Sequence, residues 1–278
     1  MTSVPADLRP QAGASPAWPR RLAGLAGLLM SRVLTMCVVE LQKMAHDRTE
    51  LLIRAIQPAL WLLIFGETFT RLRAIPTGNV PYLDYLTPGI LAQSALFVAI
   101  FYGIQIIWDR DAGILARLLV TPTPRAALVA GKAFASGMRA LVQAVVVLVL
   151  AALLGVRLTT NPLLLLGTAG FVVLGSAFFC CLSITIAGLV LSRERLMGIG
   201  QAITMPLFFA SNALYPVGLM PDWLQALNRA NPLGYEVDAL RGLLIGTPAH
   251  ILLDLAVLAA SAVAMIGIAA ALLGRLAR

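Results

Sequence analysis

Glu236, Asp238 and Arg241 are the charged residues whose spacing most invites chemistry, and they sit in the stretch Ala213–Leu244, ALYPVGLMPDWLQALNRANPLGYEVDALRGLL. Arg241 reaches either carboxylate within about one helical turn, and the spacing does not choose between them. What such a grouping does is hold a structure together by ion pairing; it is not a catalytic set. The chain has no G-x-x-x-x-G-K-[ST] stretch to cradle a phosphate, only the fragment Gly131-Lys132-Ala133. It has no H-E-x-x-H and no G-x-S-x-G, and its two histidines, His46 and His250, are far apart. No cysteine or histidine spacing suits a metal. Cys180 and Cys181 are adjacent in an apolar run and read as small core residues. Gln57, Gln143, Gln201 and Asn212 are the polar groups expected at membrane depth. Such side chains usually join helices, with cargo binding as the alternative. Asp254 is expected near the outer end of the last span, and Arg139 can snorkel inward from the third. No chain of buried carboxylates suggests a proton relay.

The elements that carry these residues follow from composition. The chain is 59% hydrophobic and 12% charged, with net charge +8 and mean hydropathy +0.87. A soluble domain carries about 25% charged residues, so this chain cannot cover itself with polar surface. A membrane span needs roughly 20 apolar residues. Six candidates are present: Leu51–Phe69, Thr87–Trp108, Phe134–Leu154, Leu163–Leu191, Ile199–Leu214 and Ile251–Leu273. The expected fold is therefore all-α and membrane-integral. With both termini inside, sixteen of the 21 Lys and Arg residues fall on the cytoplasmic side. Arg71, Arg73, Arg157, Arg229 and Arg241 fall outside. This positive-inside bias explains the basic balance without nucleic acid.

Residues 1–17 are rich in Pro, Ala and Ser and read as a disordered cytoplasmic tail. Residues 18–50 read as an interfacial elbow helix and turn. Trp18, Leu22, Leu25, Leu29, Val33 and Met36 make one stripe, and Arg21, Arg32 and Lys43 can meet headgroups. Residues 51–278 form the six-helix domain, with a cytoplasmic loop at 109–132 and an external segment at 215–244. In the loop, Ile114, Leu115, Leu118 and Leu119 form an apolar ridge on a short helix flanked by Arg110, Asp111 and Arg117. Thr121-Pro122-Thr123-Pro124 ends that helix. A ridge of this kind suits a groove in a soluble partner. In the external segment, Pro216, Pro221 and Pro232 cut the chain into pieces too short to cross a bilayer. Pro221-Asp222 and Asn231-Pro232-Leu233 both read as helix starts. The expectation is two short helices at membrane depth, covered by protein. Pro88 and Gly89, after Tyr82 and Tyr85, fit the beginning of the second span.

Three strings resemble the permease subunits of type 2 ABC exporters, over nearly the whole chain from about Trp18 to Leu273. Tyr82–Gly89, within YLDYLTPG, is similar to the drug-resistance and nodulation-factor branches. Asp109, Gly113, Leu115, Leu118, Leu119, Thr121 and Pro122 match the family's ATPase-contacting loop, and Asp111 and Arg117 lie among them. Tyr215, Pro216, Pro221, Trp223, Asn231, Pro232, Tyr235, Asp238, Ala239 and Arg241 match the segment after its fifth helix. The resemblance implies a six-helix subunit with an elbow helix and two re-entrant helices before the last span. It implies a multi-pass protein of the bacterial inner membrane, working as a homodimer with two ATPase subunits. ATP and Mg would be held by those partners, and this chain would be no enzyme and bind no cofactor. The cargo class expected is a hydrophobic or amphipathic compound, drug-like or lipid-linked, with the first, second and fifth spans lining the pathway. Polysaccharide or glycolipid export is the alternative, and a secondary transporter the further one.

Overall fold

In the computed structural model, residues 56–72, 75–78, 80–120 and 124–276 are described. The expected tail 1–17, the elbow 18–50, the first residues of the first span, and Thr121 and Pro122 lie outside them. Among the described residues every regular element is helical. A helix present from residue 56 passes into a π-helical turn, Trp61–Gly66, and continues as α1, Glu67–Leu72. Then come α2, Tyr82–Ile104, α3, Ile106–Asp111, and α4, Ile114–Val120. Next are α5, Arg125–Leu153, α6, Pro162–Val190, and α7, Arg193–Phe209. The chain closes with α8, Asp222–Ala230, α9, Pro232–Ile245, and α10, Ile251–Leu276.

Among the described residues four helical stretches are long and apolar enough to cross a membrane: Tyr82–Asp111, Arg125–Leu153, Pro162–Val190 and Ile251–Arg275. That is the architecture of a multi-pass membrane protein. The fourth expected span agrees with α6 to one residue at each end. Others differ for identifiable reasons. The second span opens at Tyr82, not at Thr87, and Pro88 lies inside it. Pro81 at the N-cap sets the start, while Gly89 takes the backbone of Ala213 so closely that a Cβ there would overlap it. The third span starts at Arg125, because Pro124 caps the helix before its apolar run begins. The fifth apolar run gives α7, shifted toward the N-terminus by six residues at its start and ending at Phe209, five residues early. At 17 residues it extends roughly 25 Å. The chain then turns, with the Ser211 hydroxyl donating to Phe208 O.

The core gathers around α6, which packs against α2, α5, α9 and α10. Gly103 of α2 meets Cys180 and Ser183 of α6, and Ser183 Oγ donates to Ile100 O at 2.9 Å. Small residues thus let the two backbones touch, as interior membrane helices require. Cys180 and Cys181 are buried in this core as free thiols. α10 is peripheral: Leu252, Leu253, Leu255 and Val263 face outward, where acyl chains would cover them.

Candidate functional site

The segment 215–244 is built from its caps. After Pro216 a single 3-10 turn, Val217–Leu219, leads to Pro221, and α8 begins at Asp222. Asn231 then ends α8 and starts α9. Its Oδ1 accepts from Leu233 N at 3.1 Å, and its Nδ2 donates to Leu207 O of α7 at 2.7 Å. Both helix starts read from the sequence are present. Tyr235 OH donates to Arg229 O at 2.8 Å, and Tyr215 OH to Phe209 O at 2.6 Å, folding the segment onto itself. Trp223 is largely exposed.

Arg241 is the hub. It is 5% exposed. Its guanidinium lies 3.7 Å from the centre of the Tyr85 ring and 3.7 Å from Asp238 Oδ1. Its Nη2 donates to Asn212 O at 3.0 Å and to Tyr85 O at 3.4 Å. Asn212 Nδ2 in turn donates to Asp238 Oδ1 at 2.5 Å. The partner that spacing left open is therefore Asp238. Glu236 points elsewhere, against Gly175 of α6. Tyr82 OH and Tyr85 OH donate to Leu214 O and Asn212 O. The start of α2, the turn after α7 and α9 are thus joined through one buried cation.

An aromatic file runs up to this junction. Trp61 stacks on Phe65 at 4.4 Å, Phe65 neighbours Phe69 at 6.1 Å, and Phe69 neighbours Tyr82 at 5.6 Å. Trp61 also meets Phe208 edge-on at 5.5 Å. The file begins in the π-helical turn, a distortion that often marks functional positions. Nearby, a cavity of about 280 Å³ is lined by Gln57, Pro58, Ser94, Phe97, Val98, Phe101 and Gln143. The structure so brings Gln57 and Gln143 together, places Asn212 at the Arg241 junction, and leaves Gln201 exposed on α7.

At the opposite end of the α2–α3 rod, Asp109 pairs with Lys132 of α5 at 2.5 Å. Asp111 accepts from Arg110 at 2.9 Å and from Arg193 of α7 at 2.5 Å. Arg110 Nη1 donates to Leu191 O, and Leu191 holds a left-handed backbone, φ 57°, between α6 and α7. Arg193 also lies over the Trp108 ring at 5.7 Å. Gly113, at φ 71°, turns the chain into α4. The apolar ridge of α4 is not all on one side. Leu115 is 4% exposed and belongs to the core, while Ile114, Arg117 and Val120 face out. The Leu115 side chain therefore anchors the helix to its own domain and is not available to a groove. Leu118 is half-buried.

Sequence reasoning missed Lys132 and Arg193 as partners in this cluster, and Tyr85 and Asn212 as partners of Arg241. Each contact joins residues at least 23 positions apart. Tyr85 was legible only as an interfacial tyrosine.

Comparison with known proteins covers both ends of the rod. The family described as ABC-2 type transporter matches residues 31–245. The chain is 31% identical over 190 residues to transport permease ycf38 of Cyanophora paradoxa, covering 67% of this chain and 64% of that one. It therefore spans just under two thirds of that relative's length. It is 28% identical to the daunorubicin resistance ABC transporter permease protein DrrB1 of Streptomyces coeruleorubidus, over 73% of this chain and 71% of the other. With the doxorubicin resistance ABC transporter permease protein DrrC of Mycobacterium tuberculosis the identity is 26%, over 83% and 84%.

Proposed function

The chain belongs to the ABC-2 type transporter family, and we propose that it is the membrane-spanning subunit of an ATP-driven exporter. The cargo is a hydrophobic or amphipathic compound, drug-like or lipid-linked, moved outward. ATP and Mg are bound by a separate ATPase, two copies of which serve two copies of this chain. The resistance permeases among its relatives support the cargo class. In this reading six helices span the bacterial inner membrane with both termini cytoplasmic. The α3–α4 loop couples to the ATPase, and α8 with α9 closes the outer exit as a re-entrant pair.

One observation carries the mechanism. Asp111 and Tyr85 lie at opposite ends of the nearly continuous rod α2–α3, 26 residues apart, or about 40 Å. At the inner end the rod grips α7 through Asp111 and Arg193. At the outer end it grips the end of α7 and α9 through Arg241. A push on α4 then reaches the exit through a packed helix held by an ion pair at one end and by the Arg241 cation at the other, which is a physical connection between two sites. A second reading, export of a sugar-bearing lipid, draws on the aromatic file from Trp61 to Tyr82, since aromatic faces suit sugar rings.

Isolation of the tagged chain in mild detergent tests the partnership. An ABC ATPase with a phosphate-binding loop is expected to come with it in equal number. Recovery of the chain alone from cells that express all its neighbours contradicts the reading.

A further inference from the structure

Glu236 has no part in the junction around Arg241, and its surroundings are unusual. The residue is 0% exposed. Neither carboxylate oxygen has a hydrogen-bond partner. It sits against Gly175, and a Cβ at that position would overlap the carboxyl group, so the acid is pressed onto the bare backbone of α6. Gly175 is 13 residues from the Pro162 end of α6, roughly 20 Å along the helix.

Every element packed on α9 can be searched for a counter-charge. α6 carries no charged residue, only Cys180 and Cys181, more than a turn further along. α2 offers Tyr82, Asp84 and Tyr85 near its start, and α10 offers Asp254 in its first turn and Arg275 only in its last, at the far end of the helix. α8 carries Asp222 and Arg229, and the charges of α7 lie at its far end, at Arg193, Glu194 and Arg195. On α9 itself, Tyr235 is bonded to Arg229, and Asp238 and Arg241 are bonded to one another's neighbours on a different face. None is paired with Glu236. A metal cation is a poor alternative, since hard cations take six or more oxygens. Among the described residues no group of three His, Cys, Asp or Glu converges. A carboxyl group so placed, without cation or donor, is tolerated only in its neutral form.

We propose that Glu236 is a proton-binding site: it holds a proton while α9 lies against α6, and releases it when the two helices part. The proposal rests on the reading of α8 and α9 as the outer gate. On opening, the carboxyl O–H bond breaks, its proton passes to an entering water to give hydronium, and the carboxylate remains in a wet site. The closed gate therefore binds one more proton than the open one. Raising the pH on the side from which water enters favours opening, by at most about tenfold per pH unit for a single proton. The seam explains the glycine, because only Gly175 lets the two helices close over the acid and exclude water.

Infrared spectroscopy of the complex in lipid nanodiscs tests this without relying on transport. A protonated carboxyl in a dry site gives a high-frequency C=O stretch. The band is expected at neutral pH in the resting protein and is expected to be lost in Glu236→Gln. Isotopic carbon in glutamate alone should shift it in the unmutated chain; among the described residues the other glutamates, Glu67 and Glu194, are exposed, and its loss in Glu236→Gln assigns the band to Glu236. Trapping the complex with a non-hydrolysable ATP analogue should remove the band. Export by Glu236→Gln should lose the rise with pH. No such band, or one unmoved by glutamate labelling, overturns the proton site. A glutamate band that persists in the trapped state overturns its link to the gate. Neither result bears on whether the chain recruits an ATPase, which the isolation experiment decides separately.

Discussion

The Arg241 guanidinium lies 3.7 Å from the centre of the Tyr85 ring, 156 residues away in sequence. A buried cation on an aromatic face is worth about 2 kcal/mol when desolvated. Here the same group also donates to two backbone carbonyls in buried hydrogen bonds. Three chain segments that the sequence separates are held at one point.

Arg241→Ala is expected to cost about 2–3 kcal/mol, because it also removes the charged donor to the Tyr85 and Asn212 carbonyls and leaves Asp238 without its cation. The complex should still assemble, since the inner contacts are untouched. Export should become poor or leaky. Arg241→Lys, which keeps charge without the planar stack, should fall between the two. Thermal unfolding and vesicle leak measured together check this. Full export with unchanged melting in Arg241→Ala contradicts the junction.

Asp111→Arg should uncouple ATP hydrolysis from export. The pair with Arg193 is exposed to solvent, so its loss should change stability little. The informative variant is the exchange Asp111→Arg with Arg193→Asp. Restored coupling in that double variant is expected, measured as cargo moved per ATP. Equal uncoupling in all three variants would mean that the contact transmits nothing.

The face of α4 separates docking from folding. Ile114→Ala with Val120→Ala should weaken co-isolation of the ATPase, since both side chains are exposed and each is worth up to roughly 1.5–3 kcal/mol if a groove buries it. Leu115→Ala should instead destabilise the membrane domain itself, by about 2–5 kcal/mol. If Leu115→Ala leaves melting unchanged and lowers only ATPase binding, the orientation of α4 is wrong.

Topology is accessible to labelling. With Cys37 replaced, single cysteines at Thr77 and Gln225 should react with an impermeant thiol reagent from outside. One at Thr123 should not. Labelling of Thr123 in intact cells contradicts the inside placement of the coupling loop.

The all-α, multi-pass fold was legible because apolar runs are continuous and local. So were the starts of α8 and α9, which Pro221 and Asn231-Pro232 mark within three residues. Span boundaries were less so. Pro88 reads as a helix start, yet the helix begins six residues earlier, because a proline near the first turns removes one bond and the packing of Tyr82 and Tyr85 supplies more. The burial of Leu115 within the chain was not legible, because periodicity names a face without saying whether it meets the home domain or a partner. The Asp111–Arg193 and Arg241–Tyr85 contacts were not legible at all. They depend on how α2, α7 and α9 are brought together, and no local spacing encodes that.

The central claim is that this chain forms the path while another chain supplies the energy. Uptake of amphipathic probes, drug-like and lipid-linked, and ATP hydrolysis can be followed together in inside-out vesicles holding this chain, the co-isolated ATPase, or both. The account predicts no hydrolysis and no uptake with this chain alone, and ATP-dependent uptake only with both. ATP hydrolysis by the rigorously purified chain, or cargo uptake driven by an ion gradient without ATP, would contradict it.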